Sequence, residues 1–465
     1  MHSMKLSEIA TALSLDLPCS DRTINAICTD TRGMEPGCLF IAIKGDNFDG
    51  HDFVGTAFAN GAAAAVCRKG AEAAGEIFYV NDTRQAFLDI ARCYRMKFDI
   101  PLVGLTGSVG KTTTKDMIAC VLCGKYNTLK TEENNNNDIG LSKTILKMET
   151  GTEAAVLEMG MRGFGEISVL ARAALPTMGV ITNIGVSHIE RLGSQQGILK
   201  AKLEIMEGMD GSSPLFLNAD DELLYDAAQK IGHPVVFYGI DNINADYIAK
   251  DIVTKDGDTE FDIYFGKQRV RVKLPAIGKH NVLNALCAFA VGMSAGIEQE
   301  AAALALESYV PSGMRQKIVR TGGILVVEDC YNASPDSVKA SLEAFKLIDG
   351  KRKIVVLGDM LELGDYSESA HMSCGEAAAK TKPDALFLYG RYTYSYRKGA
   401  ETRAQGNIFD FSEKSRLTAA LIDYIRDGDA LLFKASRGVK LEEVINALYR
   451  SVTSETDGFS GEIEQ

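Results

Sequence analysis

Val103-Gly104-Leu105-Thr106-Gly107-Ser108-Val109-Gly110-Lys111-Thr112-Thr113 is the stretch on which the fold turns. An apolar run enters closely spaced glycines and leaves in a helical pattern, the order strand, loop, helix. Glycine lets the backbone curl until consecutive N–H groups aim at phosphate oxygens. Lys111 can then reach the β- and γ-phosphates, and the Thr112 hydroxyl can bind Mg²⁺. Gly107, Ser108, Val109, Gly110 and Thr113 complete the expected nucleotide cradle. The form G-x-x-x-x-G-K-[ST] is not met strictly, because Leu105 stands at the first glycine position and Gly104 one residue earlier. A dinucleotide fingerprint, G-x-G-x-x-G, is absent and would have no use for Lys111-Thr112. The segment reads as a nucleoside triphosphate site.

Outward from this loop, short apolar strands are predicted at 154–157, 178–182 and 215–217 with helices between them, which implies a parallel sheet covered by helices. Residues 246–274 alternate in period 2 around Asp256-Gly257-Asp258, predicting an antiparallel hairpin. The uncharged stretch 281–297 is broken by Asn284, Gly292, Ser294 and Gly296 and is too short to span a bilayer, so it reads as a buried core helix. Upstream, residues 1–98 carry apolar runs such as Leu39-Phe40-Ile41-Ala42-Ile43 and Ile77-Phe78-Tyr79-Val80 and an Ala-rich helix over 56–65, a small α/β unit. Downstream, Pro311-Ser312-Gly313 marks a boundary. Strands at 324–327, 354–357, 385–388 and 430–433, with helices at 337–347 and 413–425, then form a Rossmann-like doubly wound unit. The expected fold is α/β in three domains: a small N-terminal domain (1–98), a central P-loop ATPase-like parallel-sheet domain (99–312) and a C-terminal domain (313–450). A polar, acidic tail (451–465) is expected to fray.

Composition agrees. A chain of 465 residues suggests about three domains. Its 46% hydrophobic and 24% charged residues exclude a disordered or collagenous chain. A net charge of −12 disfavours non-specific nucleic-acid binding, so any anionic substrate must be held by local sites. The ten cysteines are scattered. Cys120 and Cys123, in what reads as a helix interior, lack a second pair or nearby histidines for a zinc shell and are expected to be buried thiols. Residues 1–10 contain no apolar signal core, which makes the cytoplasm the default compartment.

Two groups are placed to complete a metal shell. Glu158 follows the strand 154–157, and His188 ends Thr182-Asn183-Ile184-Gly185-Val186-Ser187-His188, also past a strand. Ligands of open α/β sheets gather at these carboxyl ends. Each alone would more often be a structural residue; both in one P-loop domain favour Mg²⁺ ligation.

Together with Ala201-Lys202-Leu203-Glu204-Ile205, these segments resemble the Mur ligase family, ATP-dependent amide-forming enzymes of peptidoglycan precursor synthesis, over nearly the whole chain. The family loop, G-x-T-G-x-x-G-K-T-T, fits residues 104–113, and the E-M-G, T-N-I-G-x-x-H and A-K-x-E segments follow in order. The resemblance implies that Asn281 and Asn284, in Gly278-Lys279-His280-Asn281-Val282-Leu283-Asn284-Ala285, contact adenine. It implies two Mg²⁺ ions, one on Thr112 and Glu158 and one on His188 and Lys202, the lysine carbamylated by CO₂. An unmodified lysine there would repel Mg²⁺; from spacing alone Lys202 would read as a surface lysine. Arg315, at the hinge, and Asp329 are expected near phosphate or ribose, with the C-terminal domain closing over the nucleotide.

Three further segments point to the branch whose partners are UDP-N-acetylmuramoyl-tripeptide and D-alanyl-D-alanine. They are Thr131-Glu132-Glu133-Asn134-Asn135-Asn136-Asn137-Asp138-Ile139-Gly140, Glu328-Asp329-Cys330-Tyr331-Asn332-Ala333-Ser334-Pro335-Asp336-Ser337, and Leu357-Gly358-Asp359-Met360-Leu361-Glu362-Leu363-Gly364. The D-N-P-R tetrapeptide of the diaminopimelate-adding relatives is absent. Ser334 stands where Asn is common, and Glu132-Glu133 where the family often has Gly-Asn. Substrate contacts are expected from Asn135, Asn136, Asn137, Tyr331, Asn332 and Ser334. Thr31, Arg32 and Lys44 would hold the UDP end, and Lys434 and Ser436, in Lys434-Ala435-Ser436-Arg437-Gly438, the dipeptide carboxylate. The implied chemistry is phosphorylation of the tripeptide carboxylate by ATP followed by attack of the dipeptide amine, with Lys111 balancing charge. A monomer is expected. A Mur-type ligase with another amine, a P-loop ATPase without ligation and a non-catalytic UDP-sugar binder stay open as alternatives.

Overall fold

Strand and helix alternate through most of the chain in the computed structural model, which describes residues 1–16, 21–45, 47–70, 75–255, 257–401, 403 and 406–457. The first sheet contains four parallel strands, β1 (Ile27–Cys28), β2 (Leu39–Ile41), β3 (Ala64–Arg68) and β4 (Ile77–Val80), in that spatial order. The helix expected over 56–65 is only Val54–Ala59. Gly61 turns the chain at φ +94°, and Ala64 and Ala65 open β3, where both are fully buried. An alanine run fits either element; pairing with β2 and β4 decides it.

Helix Thr83–Arg95, capped by Asp82, joins this unit to the next. Phe87, Ile90 and Tyr94 share one apolar core with Leu141, Ile145 and Leu170 of the central domain. Tyr94 donates its hydroxyl to the Met148 carbonyl at 2.5 Å, and Arg95 Nε donates to the Ala174 carbonyl at 3.0 Å.

The central sheet comprises β5 (Leu102–Thr106), β6 (Thr128–Lys130), β7 (Ala154–Glu158), β8 (Met178–Ile181), β9 (Leu215–Asn218), β10 (Val235–Gly239), β11 (Tyr247–Lys255), β12 (Asp258–Phe265) and β13 (Gln268–Leu274). Their order is β13-β12-β11-β10-β9-β8-β5-β7-β6, parallel from β11 to β6 and antiparallel at β11-β12-β13. The expected hairpin is therefore a three-stranded extension of the parallel sheet; Asp256 at its tip lies outside the described residues. Alternate residues of β5 face opposite cores, Leu102 one way and Val103 and Leu105 the other, against helix Lys279–Ser294.

The C-terminal sheet holds β14 (Lys317–Thr321), β15 (Ile324–Asp329), β16 (Lys353–Gly358), β17 (Ala385–Tyr389), β18 (Asn407–Phe411) and β19 (Ala430–Lys434), ordered β14-β15-β19-β16-β17-β18 with only β14 antiparallel. Val355 and Leu357 face helices Pro335–Phe345 and Ser367–Lys380, while Ile354 and Val356 face Lys414–Tyr424 and Glu442–Asp457, so helices cover both faces. The last helix runs into the segment expected to fray, because its apolar stripe Val444, Ile445, Leu448 and Val452 is buried on the sheet; residues 458–465 lie outside the described ones. The cysteine expectation also needs correction: the helix ends at Leu122, Cys120 is half-buried and Cys123 exposed. Among the described residues no helix is long and apolar enough to cross a membrane.

Candidate active site

At the carboxyl ends of β5, β7 and β8, where the N-terminal, central and C-terminal parts of the chain meet, lies a cavity of about 920 Å³. Gly110, at φ +82°, turns the loop into helix Lys111–Leu122, and a Cβ there would stand 2.9 Å from Asn284 Oδ1. Ser108 and Val109 donate their N–H groups to the Asn183 backbone and side-chain oxygens at 3.1 and 2.9 Å. The loop is thus pinned from behind by the T-N-I-G segment. The N–H groups of Gly110, Lys111, Thr112 and Thr113 have no protein acceptor among the described residues. Four such donors at a helix amino end form an anion cradle.

Lys111 Nζ folds back onto the Gly107 carbonyl at 2.9 Å. Burial pushes its ammonium below the ordinary lysine range, Glu158 opposes this and Arg315 adds to it. The Thr112 hydroxyl donates to Glu158 Oε2 at 2.9 Å, Asn136 Nδ2 donates to Oε1 at 3.0 Å, and Arg315 Nη2 reaches Thr112 Oγ1 at 3.3 Å. Glu158 is 2% exposed at the tip of β7. His188 lines the same cavity at a left-handed φ of +64°. Burial first, then the charges of Lys111, Lys202, Arg162 and Arg191, lower its pKa to about 4.

Lys202 is 2% exposed, in helix Gln195–Leu203, and Nζ makes no ion pair or hydrogen bond among the described residues. Burial, reinforced by Lys111, holds its pKa well below the ordinary value. The surface reading open from spacing is therefore wrong: this is a buried amine whose charged form is disfavoured. No three His, Cys, Asp or Glu side chains cluster as a metal site among the described residues. The Thr112 hydroxyl and Glu158 are oxygen donors of the cavity lining, whereas Lys202 lies outside that lining.

Of the remaining expected residues, Asn281 and Asn284 line the cavity in a chain with Gln316 and Thr114: Asn281 Nδ2 donates to Gln316 Oε1 at 2.8 Å, and Thr114 Oγ1 to Asn284 Oδ1 at 3.0 Å. Asp329 and Lys434 line it as a buried ion pair at 2.9 Å. Ser436 lies outside the lining, its hydroxyl accepting the Leu361 N–H at 3.0 Å. Tyr331 lines it and donates to Asn134 Oδ1. Asn332 and Ser334 line it too, the first accepting its neighbour's N–H and the second capping helix Pro335–Phe345. Asn137 lines it and caps helix Asp138–Leu146, whereas the Asn135 backbone packs on Gly140 behind the wall. Thr31, Arg32 and Lys44 stand apart; Arg32 is paired with Asp30 at 2.6 Å.

The sequence reading missed several groups. His280 lines the cavity beside Asn281, its pKa lowered to about 4 by burial against an opposing Asp329. Its place in the quoted G-K-H-N segment was a usable signal. Arg84, bound to Asp138 at 2.8 Å, carries none, because a helix-surface arginine reads like any other.

A P-loop cradle backed by a glutamate, closed by a hinge arginine and roofed by a second doubly wound sheet defines a ligase class that the comparisons make explicit. Residues 23–95 match the model of the Mur ligase family catalytic domain, 105–292 the Mur ligase middle domain and 314–437 the Mur ligase glutamate ligase domain. The chain belongs to the Mur ligase family. It is 41% identical to UDP-N-acetylmuramoyl-tripeptide–D-alanyl-D-alanine ligase of Bacillus subtilis (strain 168), covering 93% of this chain and 94% of that one. It is 35% identical to the Escherichia coli (strain K12) protein of that name, covering 97% and 100%. The crystal structure of MurF from Acinetobacter baumannii superposes with a TM-score of 0.89 at 28% identity, over 97% of this chain and 99% of that one. MurF ligase from Thermotoga maritima in complex with ADP gives 0.84 at 28% identity, over 92% and 98%.

Proposed function

We propose that this chain uses ATP to join D-alanyl-D-alanine to the terminal carboxylate of UDP-N-acetylmuramoyl-tripeptide, forming an amide. The observation that carries the reading is the row of four N–H groups at 110–113 without an acceptor among the described residues, with Lys111 and Arg315 lining the same cavity. A carboxylate cannot exchange its oxygen for an amine at neutral pH because the leaving group is poor. In the proposed reaction its oxygen attacks the γ-phosphorus of ATP in line and ADP leaves. The dipeptide amine then adds to the acyl carbon, and phosphate departs with loss of a proton. Lys111 and Arg315 bear the charge on the transferring phosphoryl group, and the N–H groups of 110–113 orient the triphosphate.

The donor set suits Mg²⁺, a hard cation that takes few protein oxygens and keeps water and phosphate as its other ligands. Thr112 and Glu158 would hold one ion, and His188 with a carbamylated Lys202 a second; bound there, they would spread the negative charge of the phosphates. The neutral His188 ring has a lone pair to offer, and burial that disfavours the Lys202 ammonium favours the amine form that adds to CO₂, which would lose a proton to become an anion. In this reading residues 1–98 carry the UDP end, 99–312 the ATP and 313–450 the dipeptide. The three-domain cavity then brings the acyl group and the amine together out of water.

Phosphate release and product mass, followed with and without each peptide, test the proposal. The expected result is phosphate release that needs both peptides and a product carrying two additional alanine residues. ATP turnover at full rate without either peptide would overturn it.

A further inference from the structure

Helix Lys111–Leu122, which begins at the phosphate loop, presents Thr112, Asp116 and Cys120 one turn apart on one face. Residues 305–315 run back along that face. Cys120 Sγ donates to the Ala305 carbonyl at 3.1 Å, the Ser312 hydroxyl donates to Asp116 Oδ2 at 2.5 Å, and Arg315 Nη2 donates to Thr112 Oγ1 at 3.3 Å. Residues 308–316 join helix Gln299–Glu307 to β14 and so connect the central and C-terminal domains. Asp116 is 5% exposed, and a carboxylate so far out of water needs donors to replace it. Lys130 Nζ at 2.7 Å and Lys115 Nζ at 3.4 Å both meet Oδ1, whereas Oδ2 accepts the Ser312 hydroxyl. Burial alone would raise the pKa of this carboxyl; Lys115, then the bonds from Lys130 and Ser312, overcome it and hold the group below its ordinary range. One oxygen thus meets two lysine charges, and the other holds the domain junction.

Resting on the function proposed above, we infer that Asp116 and Ser312 are a positioning pair for Arg315: they tie the domain junction to the phosphate-loop helix and thereby fix the guanidinium beside Thr112. Arg315 lies three residues after Ser312, and its Nη1 is 3.5 Å from the Ser312 carbonyl oxygen, so the tie is passed on through one short turn. Gly313, at φ +61°, makes that turn. On the far side Gln316 Oε1 accepts the Asn281 amide at 2.8 Å. Arg315 is therefore bracketed by two ties, and the one through Ser312 leads to the helix that carries Thr112. A long, rotamer-rich side chain stabilises a transferring phosphoryl group only from a fixed place, and a shift of about 1 Å in such a group can cost about 100-fold in rate.

Removing the Ser312 hydroxyl breaks the tie and leaves the buried charges paired. On the full-length chain, Ser312→Ala should lower kcat for ligation by about 10-fold, a loss of the size that a small misplacement causes. Its affinity for ADP should be unchanged, which reports that the phosphate loop is folded. Ser312→Thr, which keeps the hydroxyl, should recover most of kcat. A double-mutant cycle with Arg315→Lys separates positioning from stability. If Ser312 acts through Arg315, Ser312→Ala should cost less than about twofold more in the Arg315→Lys background, whereas a loss of folded enzyme would multiply in both backgrounds. An unchanged kcat in Ser312→Ala, or the same loss in both backgrounds, would overturn the inference and leave the function standing. A wild type that does not ligate the dipeptide would overturn both.

Discussion

Replacing Lys202 with methionine separates two roles that the same buried lysine could have. Its aliphatic stem is packed, its amine has no ion-pair partner among the described residues, and burial beside Lys111 disfavours its charged form. If the amine were only filler, methionine would match its shape, remove a desolvation cost and leave turnover intact. If it is carbamylated, the substitution removes one negative charge that faces a cationic centre. At about 4 Å and an effective dielectric of about 20, such a charge is worth about 4 kcal/mol, or about a thousandfold in rate. The expected outcome for Lys202→Met is therefore a loss of kcat of about a thousandfold with an unchanged or raised Tm. Lys202→Ala should lose as much and regain part of it with added short carboxylic acids, which can enter the space left by the side chain. Product formation is followed by chromatography, and a carbamate carbon should appear by NMR when the wild type is equilibrated with ¹³C-bicarbonate. Full activity in Lys202→Met would refute the reasoning whatever the spectrum shows.

Gly110→Ala should lower stability by about 1–2 kcal/mol, because φ +82° disfavours a Cβ. It should also raise KM for ATP by about tenfold through displacement of Asn284; denaturation and initial rates measure the two effects. His280, with a pKa of about 4 in the folded chain, binds a proton in the unfolded chain near pH 6.5. Stability should thus be fully present above about 6.5 and fall by on the order of 3 kcal/mol as pH drops to about 4. A His280→Gln variant with the same acid slope would exclude this source. Asp336, at the start of helix Pro335–Phe345, accepts the Val186 N–H at 3.3 Å just before His188. Asp336→Ala should lower kcat by about three- to tenfold and lessen the compaction seen by small-angle scattering when an ATP analogue and the muropeptide bind. Identical scattering for the two proteins would argue against a closure contact there.

Much of the active site was legible because its chemistry is written in consecutive residues. The loop 104–113 places four N–H groups, an amine and a hydroxyl within one turn, since strand, glycine and helix dictate the local path. Glu158 and His188 could be read because one ends and the other follows a strand whose apolar run is plain in the sequence. Arg84 could not: an arginine at a helix surface looks the same whether or not it faces a cavity. The alanines at 64 and 65 misled for a related reason, as alanine takes the conformation its neighbours impose.

Sequence by itself determined that a triphosphate-binding loop lies between two further α/β units, because hydrogen-bond geometry and side-chain period act over a few residues. Which groups are left with unmet charge or unmet hydrogen bonds was decided only by the tertiary structure. The charged form of Lys202 is disfavoured because distant segments bury it beside Lys111. Lys434 is occupied because Asp329, on the neighbouring strand, pairs with it. Desolvation and Coulomb interaction depend on distance in space, and separation along the chain does not encode that distance.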